Sequence, residues 1–471
     1  MVAFCSFSVL TTWPRVWIDE GKDIELARGF LNAGKLDIEM APGQFSGVAS
    51  LLQSTGYPVT VPLAGVFKLF GYGFEQARAY MLLWALIAIA TVFFVSRKFL
   101  GNFNAIFSVL LIVTFASFYD SGRAVVGEIP GFVFLMAGLY FALYKDSYNK
   151  SGLFIGLSIV SKPSVFTWIL PALVLVFAIE KKDFIIKTLK MSWGIILALF
   201  VWAILVLESL FSLSAWSGIL NFYKNPYEGS SLISNFVTNL ANAPYSTTLI
   251  YFGILFVVVI IARFLVEEKR LASLYNFIII YGVFAFLYYL RSPGWLRYIL
   301  IAELLILFIL PHAVSLIVPK LKSYFVRFQF DNRYLVAVCL LALVVIQTVH
   351  LFTSADIFFS DSETKARDYV NKEFPTESVT VLNSVIMATM FDRQNRFMTL
   401  DDTVMREIEV RAGFKNIDIF STSIMPEVVI LSARAKKLPS EQEKVTLENK
   451  YQFVTKIGSY SIYKLTRQLP S

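Results

Sequence analysis

The sequence predicts an α-helical protein that crosses a membrane many times and carries a small α/β domain at its C-terminal end. Three observations predict this. Hydrophobic residues make up 56% of the 471 and charged residues only 16%, against about 25% charged in a soluble domain. Apolar runs, most of them approaching the roughly 20 residues that cross a hydrocarbon core, recur over the first three quarters of the chain. Beyond residue 354 the composition becomes soluble, and helical and strand periods alternate. With a mean hydropathy of +0.64, a soluble globular enzyme, a disordered chain and a disulfide scaffold are all excluded.

The apolar runs fall near 1–12, 79–96, 103–119, 129–144, 151–161, 164–179, 191–211, 245–266, 271–290, 297–318 and 334–353. The first is too short for a span: it is a half-span, or its N-terminal half precedes this reading frame. It also lacks the charged start and cleavage site of a signal peptide. The runs 151–161 and 164–179 are separated by Ser161-Lys162-Pro163. The loops 145–150 and 180–190 on either side both carry lysines, and short basic loops stay in the cytoplasm. An even number of crossings must then join them, which predicts two short helices meeting at Lys162. The same rule places Arg97-Lys98, 267–270 and 319–333 inside, and 13–78, 120–128, 212–244, 291–296 and 354–471 outside. About eleven crossings follow, with the N-terminus inside and the C-terminus outside.

The chain thus divides into a membrane unit, 1–353, and an outer soluble domain, 354–471. Within the long outer segment 13–78, residues 19–31 read as a helix. Ile24, Ala27 and Leu31 share one face with Leu26 and Phe30 beside it, and charges fill the other. That pattern predicts a helix lying in the membrane surface. The segment 212–244 mixes Trp216, Phe222, Tyr223, Tyr227 and Phe236 with polar residues, which suits the membrane–water boundary. In the soluble domain, 363–374 reads as a helix, 378–382 and 427–431 as buried strands, and 451–456 with 459–465 as a hairpin around Gly458.

Composition also limits the chemistry. Cys5 and Cys339 lie in apolar runs, and His312 and His350 lie in or at the ends of apolar segments, so neither a zinc site nor a redox pair is indicated. No cofactor is called for with certainty; a divalent metal is compatible with the sequence but not indicated by it. The net charge of +8 is accounted for by cytoplasmic loops rather than by a nucleic-acid partner.

Charges in or beside membrane spans are costly and are functional candidates by default. Four sets fall on the outer side: Asp19-Glu20, Arg123 with Glu128, Lys162, and Arg291 with Arg297-Tyr298. Each also has a bland reading. Asp19, Glu20 and Glu128 would complement helix dipoles, Lys162 would snorkel, and Arg297, Trp295 and Tyr298 would anchor the interface. Together, carboxylates and cations facing one cavity suit transfer of a sugar from a lipid phosphate. The anionic leaving group needs cations rather than a general acid, and the acceptor needs one carboxylate as base. A single displacement inverts the anomeric centre, as in inverting glycoside hydrolysis.

Trp17-Ile18-Asp19-Glu20-Gly21 resembles the acidic first-loop motif of the GT-C superfamily, in particular the protein O-mannosyltransferases and the lipid A aminoarabinose transferases. Tyr57-Pro58, then Phe67-Lys68-Leu69-Phe70-Gly71-Tyr72-Gly73 and Arg78, resembles the stretch leading into the second span. Gly122-Arg123 with Glu128 resembles the second-loop motif, where aspartate is more usual. Ser161-Lys162-Pro163 resembles the family's Leu-Thr-Lys-Pro type of turn, and Arg297-Tyr298 its late Arg-Tyr. The ordered set spans about 300 residues. The resemblance implies a GT-C fold, a polyprenyl-phosphate sugar donor, a glycolipid, glycan or protein acceptor, and extracytoplasmic catalysis in the plasma or inner membrane. It implies Asp19 as the base, and Glu20 and Glu128 as residues orienting hydroxyls. Lys162 and Arg297 would hold the phosphate, with Arg123 and Arg291 as further cations there and Tyr57 and Tyr298 as substrate contacts. The chain departs from the pattern in the glutamate at 128, the short first span and the lack of the extra sugar-binding domains of eukaryotic relatives. A secondary transporter is the main alternative and would place its charges at mid-membrane. A non-catalytic assembly scaffold is the other and would not bring Asp19 to Lys162.

Overall fold

The computed structural model describes residues 9–47, 53–180, 183–207, 217, 232–324, 331–354, 361–393, 395–399, 425–432 and 441–466. The first helix, α1 (Ile18–Ala33), ends at Gly34, which adopts the left-handed conformation and returns its N–H to the Phe30 carbonyl, a common helix stop. A short ribbon of β1 (Glu39–Ala41) and β2 (Gln44–Phe45) follows. Next come α2 (Tyr57–Phe70) and α3 (Phe74–Val113), the latter broken at Gly101, where φ is 81°. Helix α4 (Ala116–Arg123) turns sharply into α5 (Glu128–Leu139), which runs on into a π-helical turn, Tyr140–Tyr144. Helices α6 (Tyr148–Ser161), α7 (Pro163–Phe166), α8 (Ile169–Glu180) and α9 (Phe184–Val206) follow. The membrane unit closes with α10 (Leu232–Asn242), α11 (Thr247–Arg263), α12 (Lys269–Arg291), α13 (Leu300–Tyr324) and α14 (Asn332–Ser354).

Among the described residues, six helices are long and apolar enough to cross a membrane, or eight if the bent pairs α4–α5 (107°) and α10–α11 (82°) each count as one span. Three features separate eight from the expected eleven. Gly101 divides α3 into two pieces, α6 has only 14 residues, and residues 1–8 of the first run lie outside the described residues, as does Cys5. Of the aromatics in 212–244, Trp216, Phe222, Tyr223 and Tyr227 also lie outside them, while Phe236 sits exposed on α10. Helix α13 runs through the middle of the bundle: Ile301, Leu305 and Phe308 are wholly buried, as befits a helix apolar on all sides. The break at Lys162 is as expected. Its backbone is extended (φ −153°, ψ 85°) between α6 and α7, and the proline that follows starts the next helix without needing an N–H partner.

The soluble part comprises α15 (Ser362–Glu373), β3 (Val379–Leu382), α16 (Val385–Ala388), β4 (Arg396–Met398), β5 (Val428–Ser432), α17 (Glu441–Lys450), β6 (Tyr451–Ile457) and β7 (Tyr460–Leu465). The strands form one sheet in the order β4-β3-β5-β7-β6, with β4, β3 and β5 parallel and β7 antiparallel to both β5 and β6. The central strands β3 and β5 read as continuous apolar runs because both faces are covered.

One expectation fails here. Helix α1 does not lie in a membrane surface with its charges in water. Val379, Val381, Ile386, Val428 and Ile430 of the soluble part form one core with Ile24 and Ala27 of α1, Leu63 and Phe67 of α2 and Ala77 and Met81 of α3. The helix is sandwiched, and its polar face is buried with it: Glu20, Asp23 and Glu25 are fully covered and Arg28 nearly so. Buried charges must be paired, and α1 finds its partners far along the chain. Arg396 meets Glu25 through two hydrogen bonds of 2.6 and 2.5 Å, and Arg28 donates to the carbonyls of Phe391 and Arg393.

Candidate active site

The site is assembled where four separate pieces of chain approach the first turn of α1. Two glycines permit the approach. A Cβ on Gly127 would lie 1.8 Å from the Ser161 carbonyl oxygen, and one on Gly56 would lie 2.1 Å from that of Val160. The Gly56 N–H donates to the Ser161 oxygen at 3.3 Å. Any side chain at either position would push the loops before α2 and α5 away from the turn that carries Lys162.

Asp19 is the centre of the charge set. Its Oδ2 accepts from Arg297 Nη1 at 2.7 Å, and its Oδ1 lies 2.8 Å from Lys22 Nζ, one turn along α1. Burial would raise the Asp19 carboxyl, but Lys22, Arg297 and Lys162 outweigh it and hold the group well below the usual carboxylate range. Burial likewise opposes the charge on Lys22, and Asp19 reverses that and raises it. Arg297 lies on a 3₁₀ turn, Leu296–Tyr298. Its guanidinium is framed by the rings of Trp17, Trp295 and Tyr298 at 5.3, 4.8 and 5.6 Å, a cation–π cage that fixes its plane. Burial works against its charge, and Asp19, Tyr298 and Glu128 more than restore it.

Glu128 and Lys162 form the second half. Glu128 is the first residue of α5, placed to complement the helix dipole. Its Oε1 lies 3.9 Å from Lys162 Nζ, and both side chains are 2% exposed. That separation is an ion pair without a hydrogen bond, and the Lys162 ammonium has no hydrogen-bond partner. A buried ammonium with no acceptor is costly.

The sequence therefore named four residues that the fold brings together, Asp19, Glu128, Lys162 and Arg297, with Tyr298 beside the last. Others lie elsewhere. Both Glu20 oxygens are engaged, by Arg78 Nε at 2.8 Å and Nη2 at 2.9 Å, with the Val125 N–H at 3.2 Å. Arg78 adds a bond to the Leu10 carbonyl. Glu20 thus ties α1 to α3 and to the loop before α5, and does not face the Asp19–Arg297 pair. Arg123 stacks over Trp13 at 4.1 Å in the neighbourhood of Arg78 and Asp120. The Tyr57 hydroxyl donates to the Ala198 carbonyl on α9. The Arg291 carbonyl accepts from Asn235 at the end of α12. Two residues not singled out from the sequence join the cluster, Lys22 and Asp23. Their spacing of three and four residues from Asp19 was the available signal, since such neighbours share a helix face. Among the described residues no group of His, Cys, Asp and Glu side chains is arranged to hold a metal ion.

The chain is a multi-pass membrane protein, and its fold, a long-helix bundle with a small sheet domain, is shared with membrane glycosyltransferases of known structure. Residues 60–207 match the family model of dolichyl-phosphate-mannose-protein mannosyltransferase. Over 98% of this chain and 96% of the other, the structure is similar to ArnT from Cupriavidus metallidurans bound to undecaprenyl phosphate, with a TM-score of 0.64 and 12% identity. The oligosaccharyltransferase of Archaeoglobus fulgidus in its apo form is also similar, with a TM-score of 0.53 and 12% identity over 92% of this chain and 69% of that one. No curated protein matches the sequence.

Proposed function

We propose that this chain is an inverting glycosyltransferase that moves a sugar from a polyprenyl-phosphate donor to a glycolipid, glycan or protein acceptor at the extracytoplasmic face of the membrane. The observation that carries the reading is the convergence of Asp19, Arg297, Lys162 and Glu128 around a buried ammonium that lacks an acceptor. The similar ArnT structure holds undecaprenyl phosphate, a ligand of the class this charge set fits.

The reaction follows from the charges. The donor phosphate sits against Lys162 and Arg297. The acceptor hydroxyl gives its proton to Asp19 while its oxygen attacks the anomeric carbon on the face opposite the phosphate. The bond between the anomeric carbon and the phosphate oxygen breaks, and its electron pair stays on that oxygen, where the two cations stabilise it. Held by Arg297 and Lys22, Asp19 is a weak base. Once the phosphate shares Arg297, that guanidinium is divided between two anions, and the proton affinity of Asp19 rises toward what the acceptor needs. The donor thus prepares its own base. Glu128 holds the Lys162 side chain in position and orients a sugar or acceptor hydroxyl with its free oxygen.

The test is release of undecaprenyl phosphate from radiolabelled undecaprenyl-phosphate sugars by the protein in proteoliposomes. Asp19→Asn should lower turnover by about 10²–10⁴-fold, the range for loss of a general base, while leaving lipid binding intact. Unchanged turnover in that variant refutes the assignment. Movement of the sugar lipid across the vesicle bilayer without cleavage favours a transporter instead.

A further inference from the structure

Asp23 is as fully buried as Glu20 and Glu25, yet unlike them it has no ion-pair partner among the described residues. It follows Asp19 by four residues, so the two carboxyls leave α1 on the same face. It is wholly covered, and neither of its oxygens has a hydrogen bond of good geometry, with only the Thr55 hydroxyl facing it. The segment leading into α2 adds more of the same: Gln53 Oε1, Ser54 Oγ and Thr55 Oγ1 are buried and equally without partners. Gly56 ties that segment to the Ser161 carbonyl, one residue from Lys162. Folded proteins leave few buried polar atoms unmatched. So many gathered beside one cation mark a place completed by a polar ligand.

Charge narrows the ligand. The charged groups acting on Asp23 are Lys162 from the turn between α6 and α7, and Asp19 and Lys22 from α1 itself, while Thr55 faces it from the loop before α2. With Asp23 protonated, the three cations Lys22, Lys162 and Arg297 and the two carboxylates Asp19 and Glu128 leave a single positive charge, which one phosphodiester cancels. The rest of the ligand then needs no charge. We infer that Asp23, with Thr55 and Gln53, forms the subsite that reads the donor sugar, its carboxyl exchanging hydrogen bonds with a hydroxyl of an uncharged hexose whose phosphate lies on Lys162 and Arg297. The inference rests on the donor reading above. Burial pushes the Asp23 carboxyl up to about 8, with Lys162 and Thr55 opposing. At neutral pH it therefore offers one donor and one acceptor, the complement of a sugar hydroxyl. Gln53 is already fixed by its amide bond to the Leu36 carbonyl at 3.1 Å, which leaves its Oε1 to accept.

The experiment measures binding by the full chain in nanodiscs. The probes are undecaprenyl phosphate alone, the same lipid carrying mannose, glucose or galactose, and the same lipid carrying an aminopentose. Wild type should bind at least one neutral hexosyl lipid about tenfold more tightly than the bare lipid, the worth of about one good buried hydrogen bond. Asp23→Ala should lose that increment and hold the bare lipid as before. Asp23→Asn, which keeps a neutral donor and acceptor in the same shape, should retain most of it, and Thr55→Val should lose part. The proposal is overturned if the increment survives in Asp23→Ala, if no sugar adds affinity, or if Asp23→Ala weakens the bare lipid equally. The first two outcomes would leave Asp23 satisfied by water only, and the third would make it structural. Preference for the aminopentose that Asp23→Asn abolishes would overturn the hydroxyl in favour of an ammonium. Failure of wild type to bind even the bare lipid would instead remove the donor reading, and this subsite with it.

Discussion

Arg396 lies in the sheet of the soluble part, yet its substitution should loosen the helix that carries Asp19. Its guanidinium donates Nη1 to Glu25 Oε1 at 2.6 Å and Nη2 to Glu25 Oε2 at 2.5 Å, with a further bond to the Ala388 carbonyl at 2.7 Å. The two side chains are 3% and 0% exposed. Burial would raise the Glu25 carboxyl, but Arg396, with Arg28 and Tyr72, overcomes that and lowers it. A charge-assisted hydrogen bond contributes about 1.5–3 kcal/mol, and removing one partner of a buried pair costs about 3–5 kcal/mol because the other charge is stranded. Arg396→Ala and Glu25→Ala should each cost about that much. The double variant Glu25→Met with Arg396→Leu should cost far less than the sum, since neither charge remains. Equilibrium unfolding in mixed micelles titrated with SDS, run as a double-mutant cycle, measures the coupling. A coupling below about 0.5 kcal/mol, the scatter expected of independent sites, would refute the claim that this pair clamps α1. Turnover should fall with stability in the single variants and recover in the double one.

Three further outcomes follow. Lys162→Ala should weaken binding of undecaprenyl phosphate and slow transfer further, because the lost cation acts more strongly on the departing phosphate than on the bound one; undiminished lipid affinity in a binding titration would contradict this. Glu20→Gln should lower the unfolding free energy by about 1.5–3 kcal/mol through its weakened bonds to Arg78, so a variant that melts like wild type yet is inactive would move the base from Asp19 to Glu20. The pH dependence of stability should show two windows with opposite signs. Asp19 and Glu25 are depressed, so their contribution is present above about pH 4 and is lost as pH falls through their folded values. Asp23 is raised to about 8, so its contribution is greatest below about pH 4 and declines as pH rises toward 8, by up to about 1.4 kcal/mol per unit. Asp23→Asn should flatten that second decline in unfolding titrations at pH 5 and pH 8.

The bundle and the break at Lys162 were legible because the information is local. Apolar runs of spanning length, lysines on both flanking loops and a proline after Lys162 act over a few residues. The strands β3, β5, β6 and β7 were legible for the same reason. The convergence of Asp19, Glu128, Lys162 and Arg297 came from loop charge together with an ordered resemblance. The setting of α1 was not legible. A helix with an apolar face and a charged face reads as interfacial unless the partners of its charges are known, and for Glu25 and Arg28 those partners lie more than 360 residues away. The Asp-Glu dipeptide was ambiguous for a related reason. Neighbours on a helix point about 100° apart, so Asp19 turns toward Arg297 and Glu20 toward Arg78, and only the three-dimensional positions of those arginines tell the two carboxylates apart. Asp23 was passed over because one more acid on a charged face carries no mark of being buried.

The distance in sequence between Glu25 and Arg396, 371 residues, also sets an order of events during biogenesis. At about 5–20 residues per second, α1 leaves the ribosome some 20 to 75 seconds before the arginine that neutralises it. Through that interval Glu25 and Arg28 favour water over the core they finally occupy, and the segment carrying Asp19 has no reason to dock. Only when the last strands are complete can the sheet close over α1 and draw Asp19 and Asp23 against Lys162. A nascent chain interrupted anywhere in the bundle would hold its spans in the bilayer yet lack a formed centre, so assembly of the charge cluster waits on synthesis of the soluble part that carries Arg396.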